Sequence, residues 1–168
     1  MQTIAFIIQV LFPFGLAIAL IRRWAYAKPV QRVLRNLAGR RSARKAYALA
    51  VAILILVWNF ACFSRFGASV WLLPGLAVGL ALLSFKVANA FLLWGGRHQI
   101  LMFVLYAISA YTLQVPQLIS LSMVLILMAP ATYFYPSDTA IEEMEDFLRG
   151  GRCPVSDEEL AEYYFRDK

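Results

Sequence analysis

No aspartate or glutamate occurs before Asp138, although the chain up to Ser137 holds twelve Lys or Arg; the stretch from Asp138 to Lys168 holds all ten acids and four bases. The two parts carry +12 and −6, which together give the formal net charge of +6. Between the basic clusters apolar blocks near 20 residues long recur, and such blocks read as membrane spans. With 61% hydrophobic and only 15% charged residues, the chain reads as an integral membrane protein. A basic chain of another composition would suggest nucleic acid as a partner. Here the separation of charge along the chain fits membrane topology, and no nucleic-acid partner is expected.

The expected fold class is all-α: a polytopic membrane helix bundle over residues 1–136, followed by a short acidic helical tail over 137–168. About five transmembrane helices are predicted, near 3–21, 46–64, 70–94, 100–114 and 118–135. The first covers about 28 Å at 1.5 Å per residue, with Pro13 and Gly15 as a kink. It lacks a basic n-region and is retained as a helix rather than a cleaved signal. The third is ambiguous: it ends near Lys86 with an interfacial segment beyond, or it continues tilted to Trp94. Gly95 and Gly96 stop it in both versions. A tight hairpin with its turn at Val115–Gln117 joins the last two spans. Four spans plus a re-entrant pair is the alternative count.

Orientation follows from the basic residues, since basic loops stay cytoplasmic. The loop 22–45 alone holds nine Lys or Arg, so it is assigned to the cytoplasm and the N-terminus outside. Five spans then return the tail to the cytoplasm, and Arg65 alone of the sixteen basic residues falls outside. Arginine outnumbers lysine twelve to four, which suits a bacterial protein and hence an inner membrane.

Within the basic loop, Val30, Val33, Leu34, Leu37 and Ala38 recur at helical spacing among arginines. This is the pattern of a helix lying on a lipid surface. Arg32, Arg35, Arg40, Arg41, Arg44 and Lys45 are the residues expected to contact anionic headgroups, each worth about 1 kcal/mol near the surface. A solvated topology determinant without lipid contact is the alternative.

Two short helices are predicted in the tail. The first starts at Ser137 or at Thr139, with Thr139-x-x-Glu142 as a possible capping box, and stops at Gly150-Gly151. Ile141, Met144, Phe147 and Leu148 form its apolar stripe. The second starts at Ser156, with Glu159 as the reciprocal cap and Val155 packing on Leu160. Helices this short are marginal alone, so they must dock on each other, on the basic face of their own bundle, or on a partner. Phe147, Leu148, Leu160, Tyr163, Tyr164 and Phe165 are the candidate partner-binding residues.

Residues that carry chemistry are scarce. His98 is the only histidine, Cys62 and Cys153 are read as free thiols, and no nucleotide, hydrolase or metalloprotease motif occurs. No catalytic, metal or cofactor residue is assigned, and the chain is not expected to be an enzyme. The spans lack the carboxylates that commonly carry protons or cations. A small oligomeric transporter or channel with Asn59, Lys86 and Asn89 on an aqueous path is the rival reading. The leading one is a non-catalytic subunit, accessory factor or inhibitor of a larger membrane assembly, such as a secretion or conjugation apparatus. Its partners would be anionic lipids and other membrane subunits or further copies of itself, with the tail as recognition element. Gly75-x-x-x-Gly79 marks a close helix approach.

Overall fold

A computed structural model describes residues 28–66, 72–115, 117–150, 159 and 163. The first predicted span, 3–21, lies outside them, as does the second tail helix apart from Glu159 and Tyr163. The described residues are all-helical, with seven helices: α1 Lys28–Gly39, α2 Arg41–Phe66, α3 Leu73–Leu82, α4 Phe85–Arg97, α5 Gln99–Thr112, α6 Ile119–Phe134 and α7 Asp138–Leu148.

One residue, Arg40, separates α1 from α2. Its carbonyl accepts from Ala43 N and Arg44 N at 3.0 and 3.2 Å, which starts α2 directly where α1 ends. The 26 residues of α2 extend about 39 Å, more than the roughly 30 Å of a hydrocarbon core. Among the described residues α2 is the one unbroken helix long and apolar enough to cross a membrane. Its buried residues, Ala48, Ala52, Ile55, Asn59 and Cys62, step by four and three along one side. The opposite side exposes Leu49, Ile53, Val57 and Phe60, the last at 72%. Apart from Ile55, small and polar groups thus face protein while large apolar groups face outward, as expected where lipid rather than water surrounds a bundle.

The segment predicted as a third span, 70–94, is broken. α3 ends at Leu82, and α4 begins at Phe85 after a 104° bend. Ser84 makes the corner with extended backbone (φ −74°, ψ 113°). The helix therefore ends before Lys86, and a straight tilted helix to Trp94 is not what forms. α5 and α6 form a hairpin joined by residues 113–118, where Val115 N donates to Thr112 O and Leu118 N to Val115 O, both at 2.9 Å. With 14 and 16 residues, these helices extend about 21 and 24 Å. Thr112 Oγ1 and Ser122 Oγ share a hydrogen bond of 2.8 Å across the pair.

α6 is the central helix, in contact with α2, α3, α4 and α5. Two close approaches depend on glycine. A Cβ at Gly75 would lie 2.0 Å from Ser120 Oγ, and one at Gly95 would lie 2.4 Å from Thr132 Cγ2. Gly79 meets α2 similarly, with Leu56 Cδ2 2.8 Å from an added Cβ. The Gly75-x-x-x-Gly79 pair therefore lies where α3 crosses α6 and α2. Around these contacts Ile55, Leu92, Met102 and Met128 form the main apolar core, each nearly inaccessible.

α6 stops because Pro136 holds the residue before it out of the helical region; Tyr135 is extended (ψ 141°). Ala131 O, in the last turn of α6, accepts from Tyr47 Oη at 2.9 Å. Ser137 then caps α7, its Oγ accepting from Ala140 N at 3.2 Å. Of the two starts considered for this helix, the Ser137 start forms and the Thr139–Glu142 box does not. Ser137 reaches its bond because it alone stands in the extended N-cap conformation (ψ 160°). Gly150, at φ +83°, follows α7 in the left-handed conformation that glycine adopts without penalty.

Candidate functional site

Two ion pairs among the described residues, Arg44–Glu145 and Arg97–Asp138, flank α7 where it packs on α1 and meets the start of α2. Leu34 and Ala38 of α1 pack on Ala140 and Met144 of α7, with Phe147 and Tyr163 partly buried at the edge. The helices come close at Gly39, where an added Cβ would lie 3.0 Å from Met144 Cγ. Burying a Leu or Met side chain contributes about 1.5–3 kcal/mol, so this small cluster is enough to order a short helix that would be marginal alone.

Two arginines pin α7 in place. Arg44 is 7% exposed. Its Nη1 donates to Ala38 O at 3.2 Å, and its Nη2 donates to Glu145 Oε1 at 3.1 Å. One guanidinium thereby satisfies a terminal carbonyl of α1 and holds α7 by a carboxylate, which suits the multiple donors of its planar fork. At the other end of α7, Arg97 donates to Asp138 Oδ2 from Nε at 2.9 Å and from Nη2 at 2.6 Å. Asp138 stands in the first turn of α7, where a negative charge also suits the helix end. This second pair is largely exposed and is worth no more than about 1 kcal/mol. Ser137 Oγ, besides capping α7, donates to Tyr163 O at 2.8 Å, which holds Tyr163 at the same place.

An open cleft of about 310 Å3 lies between the end of α4 and the start of α7, lined by Gly96, Arg97, Pro136, Ser137, Asp138 and Glu142 among others. Of its lining charges, Arg97 and Asp138 pair with one another, and the exposed Glu142 adds a carboxylate beside them. His98 stacks on Trp94 with ring centroids 5.0 Å apart, and its Nδ1 lies 2.9 Å from Trp94 O. Among the described residues no three His, Cys, Asp or Glu side chains come together.

No protein-family model, curated protein or solved structure matches this chain.

The residues singled out from sequence fall in three groups. Of the six basic residues assigned to headgroups, Arg32, Arg35, Arg40, Arg41 and Lys45 are exposed. Arg44 differs: it turns into the protein because Glu145 and Ala38 O offer it partners there. Arg41 and Lys45 also hold their cations 5.8 and 5.7 Å from the centre of the Phe85 ring. In the tail, Phe147 and Tyr163 lean on the α1–α7 cluster and Leu148 is 62% exposed; Leu160, Tyr164 and Phe165 lie outside the described residues.

Asn59, Lys86 and Asn89 are not brought together. Asn59 is buried, with Nδ2 donating to Ile55 O at 2.9 Å and Oδ1 accepting from Ser120 Oγ at 2.6 Å. Asn89 accepts from Tyr135 Oη. Lys86 is exposed. The residues that sequence reasoning passed over are Glu145, Asp138 and Ala140. Ala140 carried a readable signal, being four residues before Met144 and three after Ser137. Nothing local to Glu145 distinguishes it from Glu142 or Glu143, because its role depends on where Arg44 sits.

Proposed function

We propose that this chain is a small polytopic protein of a bacterial inner membrane that serves as a non-catalytic subunit, accessory factor or inhibitor of a larger membrane assembly. In this reading the helices cross the membrane about five times, with the N-terminus outside and the tail in the cytoplasm. The bundle anchors the protein, and the acidic tail recognises the partner.

One observation supports the reading above others. α7 is held as an ordered helix by Met144, Arg44 and Arg97, while Glu142, Asp146 and Leu148 stay exposed on it. A helix already ordered before binding loses less conformational entropy on association, so a short acidic segment becomes a usable recognition surface. The partner's matching surface is basic with an apolar contact for Leu148.

Deletion of residues 138–168 tests this. The truncated protein is expected to insert into the membrane at the level of the full chain, resist alkaline extraction, and lose both its co-purifying subunit in mild detergent and its activity in cells. Full cellular activity of the truncated protein would remove the tail from any recognition role.

A further inference from the structure

The stripe of α1 that covers α7 has the composition of a membrane-binding surface. Leu34, Leu37 and Ala38 are buried, and the first and last of these meet Ala140 and Met144 directly. Arg32, Arg35, Arg40, Arg41 and Lys45 are exposed beside them, as is Val33 at 55%. No acidic residue occurs in α1 or anywhere before Asp138, so negative charge against this region comes from the acidic segment that begins there, as Glu145 of α7 does against Arg44. α1 is also tethered by Arg40 alone to α2, the helix long enough to cross a membrane. It therefore sits within reach of a headgroup layer.

We infer that α1 carries a binding surface for an anionic lipid bilayer, and that α7 and the bilayer compete for its apolar stripe. An amphipathic helix binds a bilayer by burying its apolar face while its flanking cations meet the headgroups. In the docked arrangement the flanking cations are accessible but the apolar half is occupied by Met144 and Ala140. Arg44 works as the latch: it closes the end of α1 through Ala38 O and holds α7 through Glu145. When α7 leaves, the latch loses its carboxylate and the stripe becomes available to lipid. The inference builds on the recognition reading above, since a partner that draws away the tail would thereby seat α1 on the membrane. Its test needs no partner, so the two can fail separately.

The test places a diazirine analogue of leucine at position 34 of the full chain, the leucine of α1 that packs on α7, and identifies the photo-adducts by mass spectrometry. The purified protein is reconstituted in vesicles of phosphatidylcholine alone or with one-third phosphatidylglycerol. The parent chain is expected to give adducts to the 138–150 peptide in both. A Met144→Asp/Glu145→Arg variant should lose those and gain lipid adducts at least tenfold in the anionic vesicles, with severalfold less in the neutral ones or in 1 M salt. The chain lacking residues 138–168 should behave as the double variant does, which covers misfolding of the substituted tail. A Gly39→Cys/Met144→Cys disulfide should suppress lipid adducts. Absence of lipid adducts from both tail-released proteins, equal yields in neutral and anionic vesicles, or lipid adducts already dominant in the parent chain would each overturn the inference.

Discussion

Gly75→Ala is the substitution whose cost can be worked most directly from the geometry. The new methyl carbon would stand 2.0 Å from Ser120 Oγ and 2.6 Å from Asn59 Oδ1, well inside contact distance. Ser120 Oγ can rotate away, so steric relief is available, but that oxygen donates the 2.6 Å hydrogen bond to buried Asn59. Either α3 moves off α6 or the hydrogen bond breaks. Overpacking of this kind costs about 1–3 kcal/mol. An interhelical hydrogen bond in a membrane bundle contributes about 0.6 kcal/mol on average and up to about 1.7. Whichever route is taken, the destabilisation is about 1–3 kcal/mol, measured by equilibrium unfolding in mixed micelles.

A double-mutant cycle makes the argument sharper. Ser120→Ala removes the oxygen nearest the new methyl, so Gly75→Ala should cost less in the Ser120→Ala background than alone. The expected coupling is about 1 kcal/mol or more, within the usual range for residues in contact. A Gly75→Ala protein within about 0.5 kcal/mol of the parent, the ordinary spread for an uninvolved site, or strictly additive costs, would refute the reasoning.

Gly95→Ala should destabilise the α4–α6 contact by about 1–3 kcal/mol, because Thr132 Cγ2 would lie 2.4 Å from the added carbon; Thr132→Ser should recover most of that loss in the same unfolding experiment. Ser137→Ala removes the α7 cap and should cost about 1 kcal/mol, seen as roughly fivefold faster hydrogen exchange over 138–143. Met144→Asp puts a carboxylate into the α1–α7 cluster and should make residues 138–150 readily cleaved by added protease while α2 stays inserted.

Parts of this arrangement were legible because their causes are local. Long apolar blocks without acids specify helices, of which α2 is long and apolar enough to cross a membrane, Pro136 stops α6, and a glycine follows the end of α7. A helix end near Lys86 was one of two readings left open for the third span, and the corner at Leu83–Ser84 bears it out; the sequence could not decide between them because no proline or glycine marks the corner and serine is common inside apolar helices. The inward face of α2 was also hidden, since both faces are apolar and periodicity in hydrophobicity gives little contrast. The small residues Ala48 and Ala52 and the amide of Asn59 carry that signal instead, as close packing between membrane helices requires. Arg44 could not be separated from its eight basic neighbours, because its burial is decided by a carboxylate 101 positions later. The own-face docking of the tail was one of three alternatives left open by the tail sequence, and Leu34, Ala38, Ala140 and Met144 form it.

The account depends most on α1 and α7 sharing one face of the membrane and touching at Gly39 and Met144. Gly39→Cys/Met144→Cys in a chain whose Cys62 and Cys153 are replaced by alanine, oxidised in native membranes before solubilisation, measures that contact. The account predicts a disulfide in most molecules, read as a peptide joining residues 28–45 to 138–149. A chain in which both thiols are labelled freely, with no such peptide, would contradict it.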